Sequence, residues 1–145
     1  MTSTTWTRQR FIEDLRRNAS REVASIGEKL CKFVESQADK AAWGKGKGQG
    51  TLTFRSKSDF GLLSLFQMTS RGFMKFHINY LRQKGIPKPI IRDYLLKLES
   101  NFLRDFGEEG YPTDSFEEMG ELFTTSSQVD KFIQCIEGIA YRLRQ

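Results

Sequence analysis

Apolar positions along this chain change period twice, which divides it into helix, sheet and helix. From Trp6 to Asn18, the residues Trp6, Phe11, Ile12 and Leu15 fall on one face of a repeat of about 3.6 residues, with Arg8, Arg10, Arg16 and Arg17 around the rest. A short basic amphipathic helix is predicted there. Ser20 is a suitable N-cap, with Glu22 behind it, for a second helical period of Val23, Ile26, Leu30, Phe33 and Val34 that fades near Asp39. The two segments read equally as one bent helix or as two.

In residues 51–58 the period drops to two. Leu52 and Phe54 point one way while Thr51, Thr53, Arg55 and Lys57 point the other, as in a half-buried strand. Residues 62–70 are apolar on both parities, which predicts a central strand covered on both sides to some degree. Ser70, Arg71 and Gly72 form a hairpin turn. A third strand is predicted over 73–81, with Met74, Phe76, Ile78 and Tyr80 on one face and Lys75, His77 and Asn79 on the other.

Gly85, Pro87 and Pro89 end the sheet and start a helix, because proline suits a first turn and not a strand ladder. That helix carries Ile91, Tyr94, Leu95, Leu98, Phe102 and Phe106, with Gly107 as its C-cap. A polar loop follows, then SFEEMGELF as a short helix or extended segment. A last helix has Ser127 and Asp130 as a capping box and Val129, Phe132, Ile133, Ile136, Ile139, Ala140 and Leu143 inside. The expected fold class is α+β in a single domain of 145 residues: N-terminal helices, a three-stranded antiparallel meander, and C-terminal helices packed on one sheet face. Residues 1–5 are expected to be a flexible N-terminus and 44–50 a Gly-rich loop.

Composition supports a folded chain. Twelve Phe, two Trp and four Tyr supply enough burial to argue against global disorder. Cys31 and Cys135 sit inside apolar helical patterns, as free buried thiols of a reducing compartment do. No apolar run reaches the roughly 18 residues of a membrane span, and MTSTTWTRQR lacks the apolar stretch of a signal peptide, so a soluble cytoplasmic protein is expected. Charge is polarised: residues 1–107 carry 20 Lys and Arg against 10 Asp and Glu, and residues 108–145 carry 3 against 8. A basic body attracts phosphate-rich partners, although a pI near 9.3 is also common in domains that bind none.

The densest signal is AAWGKGKGQGTLTF at 41–54. A Walker loop needs a strand before it, a helix after it and Ser or Thr behind G-K; this stretch follows a helix pattern, precedes a strand and has no such Ser or Thr. The dinucleotide fingerprint fails on spacing and context in the same way. Two readings remain: a loop presenting Lys45 and Lys47 to a phosphate chain, or a turn whose glycines absorb a tight reversal.

The polar side of the sheet is the second signal. A suitable register brings Arg55, Lys57, Lys75, His77 and Asn79 together, with Trp43, Phe73 and Tyr80 as stacking rings, an arrangement known from single-strand binding. A solvated outer face alternates in the same way. His77 suits proton transfer, yet no sequence partner specifies that role. Metal sites of the common types want more His or Cys, and Asp59 is the only acid between Lys40 and Lys88, so no nuclease core assembles from the strands. The acidic loop with Glu108, Glu109, Asp114, Glu117 and Glu118 departs from calcium-loop spacing. No cofactor or metal is expected.

The string W-G-K-G-K-G-Q-G-T-L-T-F at 43–54, the R-G turn at 71–72 followed by F-M-K-F-H-I-N-Y-L, and a closing helix behind a Ser-rich cap together resemble an uncharacterised bacterial domain family. In it a W-G-x-G loop, a G-[ST]-[FL] strand, a hairpin and a strand ending in an aromatic-Leu pair occur in that order. The resemblance spans roughly residues 6–145 and implies the fold and a bacterial origin, with no activity attached. The functional expectation is a non-enzymatic module that contacts DNA, RNA or another phosphate-rich partner through Trp43, Lys45, Lys47, Arg55, Lys57, Lys75, His77 and Asn79. The alternative is a protein-interaction or self-association domain of a regulatory or defence system. A nuclease or other hydrolase is the less favoured third.

Overall fold

The computed structural model describes residues 5–102, 114 and 116–145. The helix end at Phe106 and Gly107 and the acidic pair Glu108 and Glu109 lie outside the described residues. The chain is α+β, with elements in the order α1 (Arg8–Asn18), α2 (Arg21–Gln37), β1 (Lys40–Trp43), β2 (Thr51–Ser56), β3 (Leu63–Thr69), β4 (Phe73–Phe76), α3 (Ile78–Gln83), α4 (Lys88–Phe102), β5 (Glu117–Glu118), α5 (Met119–Leu122) and α6 (Ser126–Leu143). The N-terminal helices are two, each with its own cap: the Thr7 side chain accepts from Arg10 N, and the Ser20 side chain accepts from Val23 N.

The five strands form one antiparallel meander in the order β1-β2-β3-β4-β5. β1 lies outside the three strands expected, and β5 opens the segment expected as a short helix or extended stretch. β1 is a four-residue segment whose alanines give almost no alternation of polarity, and β5 is only two residues long. The strand expected over 73–81 ends at Phe76. His77 leaves the extended region at φ −89° and ψ 59°, and the buried pair that follows, Ile78 and Leu81, has helical rather than strand spacing. Gly85, at φ +78°, closes that short helix region where a side chain would be strained.

Helices α2, α4 and α6 cover one sheet face. Phe33 of α2 stacks on Phe54 at 5.3 Å, Phe132 of α6 meets Phe66 edge-on at 4.9 Å, and Phe102 of α4 stacks on Phe76 at 5.8 Å. Phe132 is the hub, touching Phe76, Phe102 and Phe123 as well. The double parity of residues 62–70 has a different cause from the one expected. A bulge sets Phe54 opposite Phe66 but Arg55 opposite Ser64, so the consecutive Leu65 and Phe66 are both fully buried. The second face of the strand is therefore polar, with Ser64 and Gln67 half-buried.

The last helix is capped by Thr125 and Gln128, not Ser127 and Asp130. Gln128 Oε1 accepts from the Thr125 backbone, while Asp130 is drawn off to Lys29 of α2. Cys31 and Cys135 are free and buried. Among the described residues no helix is long and apolar enough to cross a membrane.

Candidate functional site

The glycine segment joins β1 to β2, with Trp43 opposite Leu52, so its context is strand, loop, strand and not the helix, loop, strand expected. Gly44 N donates to Thr51 O at 3.0 Å and closes the hairpin. Beyond it the backbone alternates. The carbonyls of Gly44, Gly46 and Gly48 accept from Trp6 N (2.9 Å), Trp6 Nε1 (2.6 Å) and Arg71 Nη2 (2.9 Å) respectively. At the end of the loop, Gly50 N donates to Ser70 Oγ at 2.7 Å, and Gly50 O accepts from Ser70 N at 2.9 Å. A Cβ on Gly50 would lie 2.5 Å from the Trp6 ring, so only glycine fits beneath the indole.

This anchoring leaves the intervening Lys45 and Lys47 exposed, and neither forms an ion pair among the described residues. More positive charge stands beside them: Arg10 lies 4.5 Å above the Trp6 ring, and Arg71 pairs with Asp14 at 3.1 Å. Asp14 Oδ2 also accepts from Ser70 Oγ at 2.5 Å, tying α1, the β3–β4 turn and the glycine loop into one assembly.

A second cationic group occupies the sheet face away from the helices. Leu52 and Phe54 point into the core, so Thr51, Thr53 and Arg55 point outward. The register sets Lys40, Arg55 and Ser64 in one row and Ala42, Thr53, Gln67 and Lys75 in the next. Gln67 Nε2 donates to Thr53 Oγ1 at 3.2 Å across that row. His77 follows β4, its backbone N–H donating to Leu65 O at 3.0 Å. Burial pushes the His77 imidazole down to about 4, with Lys75 and Arg55 acting in the same direction and Asp114 against them. His77 is therefore neutral at pH 7.

Two polar atoms of this group are unsatisfied. Arg55 Nε and His77 Nδ1 are buried without a hydrogen-bond partner. Asp114 is already engaged: its Oδ1 accepts from Asn79 N at 2.9 Å and its Oδ2 from Tyr80 N at 3.0 Å. It caps α3 in place of His77, whose side chain makes no capping bond.

The expected site residues thus divide. Arg55, Lys75 and His77 share the outer face, and Lys45 and Lys47 share the loop at the Thr51 end of β2. Trp43 points the other way, half-buried on the core face with its ring edge-on to Phe11 at 5.6 Å, so it is no outer stacking platform. Asn79 belongs to α3 and not to a strand face. Lys57 lies beyond the end of β2, exposed, with its backbone N–H on Asp39 Oδ2.

Other residues escaped the sequence reading. Phe116 is 44% exposed and has Lys75 Nζ 4.5 Å above its ring; Phe60 and Leu62 are 54% and 44% exposed in the β2–β3 turn. An apolar residue between Ser58 and Gly61 was the available signal, since those turn residues leave Phe60 nowhere to bury. Among the described residues no three His, Cys, Asp or Glu side chains gather as a metal site requires. No family model, curated protein or solved structure matches this chain.

Proposed function

We propose that this protein is a non-enzymatic binding module for nucleic acid, gripping the phosphate backbone with the outer sheet face and the Gly/Lys loop. The supporting observation is that Arg55 and Lys75 stand on the outer sheet face with a neutral His77, where Arg55 Nε and His77 Nδ1 are buried without a hydrogen-bond partner and Asp114 is engaged by backbone N–H groups. Half-buried cations without a counterion are unfavourable until an anion arrives. Thr51 to Arg55 covers about 13 Å at roughly 3.3 Å per residue, so the loop lysines and the Arg55 group lie within reach of one polymer.

Fluorescence anisotropy with labelled oligonucleotides over a salt series tests the reading. Each phosphate contact adds about 0.7 to the slope of log affinity against log salt for a single strand and about 0.9 for a duplex. Replacing Lys45, Lys47, Arg55 and Lys75 together by Gln is expected to lower the slope by about 3 and to abolish binding near physiological salt while the fold remains. Equal affinity and slope in that variant would remove the proposal.

A protein-interaction reading has one observation in its favour: β1 ends the sheet order, so among the described residues no strand pairs with one side of its backbone. The first helix offers less, because Phe11 and Leu15 are fully buried within the domain.

A further inference from the structure

We infer that the nucleic acid bound is single-stranded, with unpaired bases stacking on Phe60 and Phe116 beside the Arg55–Lys75 group; this rests on the phosphate-binding reading above. Phe60 and Phe116 are the most exposed phenylalanines among the described residues.

Phe60 stands on an ordered turn. Ser58 Oγ accepts from Phe60 N at 3.0 Å and donates to Gly61 O at 2.8 Å, and Gly61 N donates to Ser58 O at 3.1 Å. Gly61, at φ +93°, completes a backbone shape that an ordinary residue resists. The turn spends three hydrogen bonds on presenting an aromatic ring to water, when a polar residue at its tip would be cheaper to hydrate. The turn joins the strand ends at Ser56 and Leu63, one residue beyond the Arg55–Ser64 pair. The turn that carries Phe60 therefore lies at the Arg55 end of the sheet, with the exposed Lys57 between them in sequence.

Phe116 lies at the β5 edge of the sheet. It precedes β5, whose Glu117 and Glu118 pair with Met74 and Phe73 of β4, and Lys75 Nζ sits 4.5 Å over one ring face. A cation on one face of a ring leaves the other for a flat partner, and a nucleobase is a flat partner that brings the phosphate Lys75 lacks. Thr53, Ser64 and Gln67, all uncharged, share the outer face with Arg55 and Lys75. A duplex offers phosphates but hides its base faces, and it gains nothing from exposed rings. A single strand uses both.

The test uses the intact chain and four probes in anisotropy titrations: a labelled uridine 12-mer, a labelled thymidine 12-mer, a hairpin duplex with the same number of phosphates, and vesicles containing anionic lipid. The expected result is that one or both single strands bind at least ten-fold tighter than the duplex, their ratio reporting the sugar preference. Phe60→Ala and Phe116→Ala are each expected to cost roughly ten-fold in affinity with the salt slope unchanged, since no charge is removed. Phe60→Tyr is expected to retain binding, because the ring is kept. A duplex bound as tightly as the strands, with both alanine variants silent, would overturn the single-strand inference and leave the phosphate reading standing. Binding to vesicles alone, lost in Phe60→Ala/Leu62→Ser, would overturn both and make the turn a membrane-contacting tip.

Discussion

Asp14→Ala is the sharpest probe of how the glycine loop is held. The Asp14 side chain is 13% exposed, and its Oδ2 takes hydrogen bonds from the Ser70 hydroxyl at 2.5 Å and Arg71 Nε at 3.1 Å. Ser70 is fully buried, so losing the carboxylate orphans a hydroxyl donor, a cost of about 1–3 kcal/mol. The Arg71 pair is over two-fifths exposed on the arginine side and adds no more than about 1 kcal/mol. A total near 2 kcal/mol, at roughly 4 °C per kcal/mol for a domain of this length, lowers Tm by about 8 °C. Stability alone does not identify the mechanism, but Ser70 Oγ also accepts from Gly50 N, so the Gly50 amide is expected to exchange faster in the variant by more than the global destabilisation accounts for. The measurements are thermal denaturation and amide exchange of Asp14→Ala, Ser70→Ala and the double variant. The two singles share one interaction, so the double is expected to fall short of their sum by at least about 1 kcal/mol. A Tm within 2 °C of the parent with Gly50 protection unchanged would refute the assembly described around Asp14.

Three further outcomes are expected. Gly50→Ala must push against the Trp6 ring and is expected to cost about 1–3 kcal/mol and red-shift the Trp fluorescence, whereas Gly48→Ala, with nothing within 4 Å of its Cβ, leaves both nearly unchanged. For His77, a pKa near 4 in the fold against about 6.5 in the unfolded chain means that the unfolded state takes the proton first as pH falls, so stability is present above pH 6.5 and is lost between 6.5 and 4. The wild type is expected to lose roughly 3 kcal/mol more than His77→Gln over that window in urea titrations, and parallel curves would contradict it. Burial pushes both the Cys31 and Cys135 thiols up to about 12, so a thiol reagent at pH 8 is expected to label neither until denaturant is added, as mass spectrometry can read.

Period and capping chemistry were enough to find α1, α2, α4, α6 and the central strands, because each carries a strong apolar repeat or a side-chain cap. They failed where tertiary contacts set the outcome. Ala41 and Ala42 of β1 have no intrinsic strand signal and become strand only by pairing with Thr53 and Phe54. Ile78, Asn79 and Tyr80 alternate well enough for a strand, yet Asp114, 34 residues beyond Tyr80, binds the Asn79 and Tyr80 N–H groups and favours a helix start. The outer-face residues Arg55 and Lys75 were legible as alternation on two strands. Phe116 and Phe60 were not, since their value comes from what stands beside them in space. Trp43 was misassigned for the same reason: its neighbour Phe11 lies in another element.

The indole of Trp6 occupies the volume that a side chain at Gly50 would fill, and it is supplied from 44 positions upstream. Bulk at position 6 and smallness at position 50 are thus one steric allowance shared by two sites. A shrunken Trp6 would open a slot lined by bare backbone, and a larger residue at 50 could then refill it. The two positions are free to drift only as a pair, and Trp6→Ala combined with Gly50→Leu should be tolerated better than either change alone.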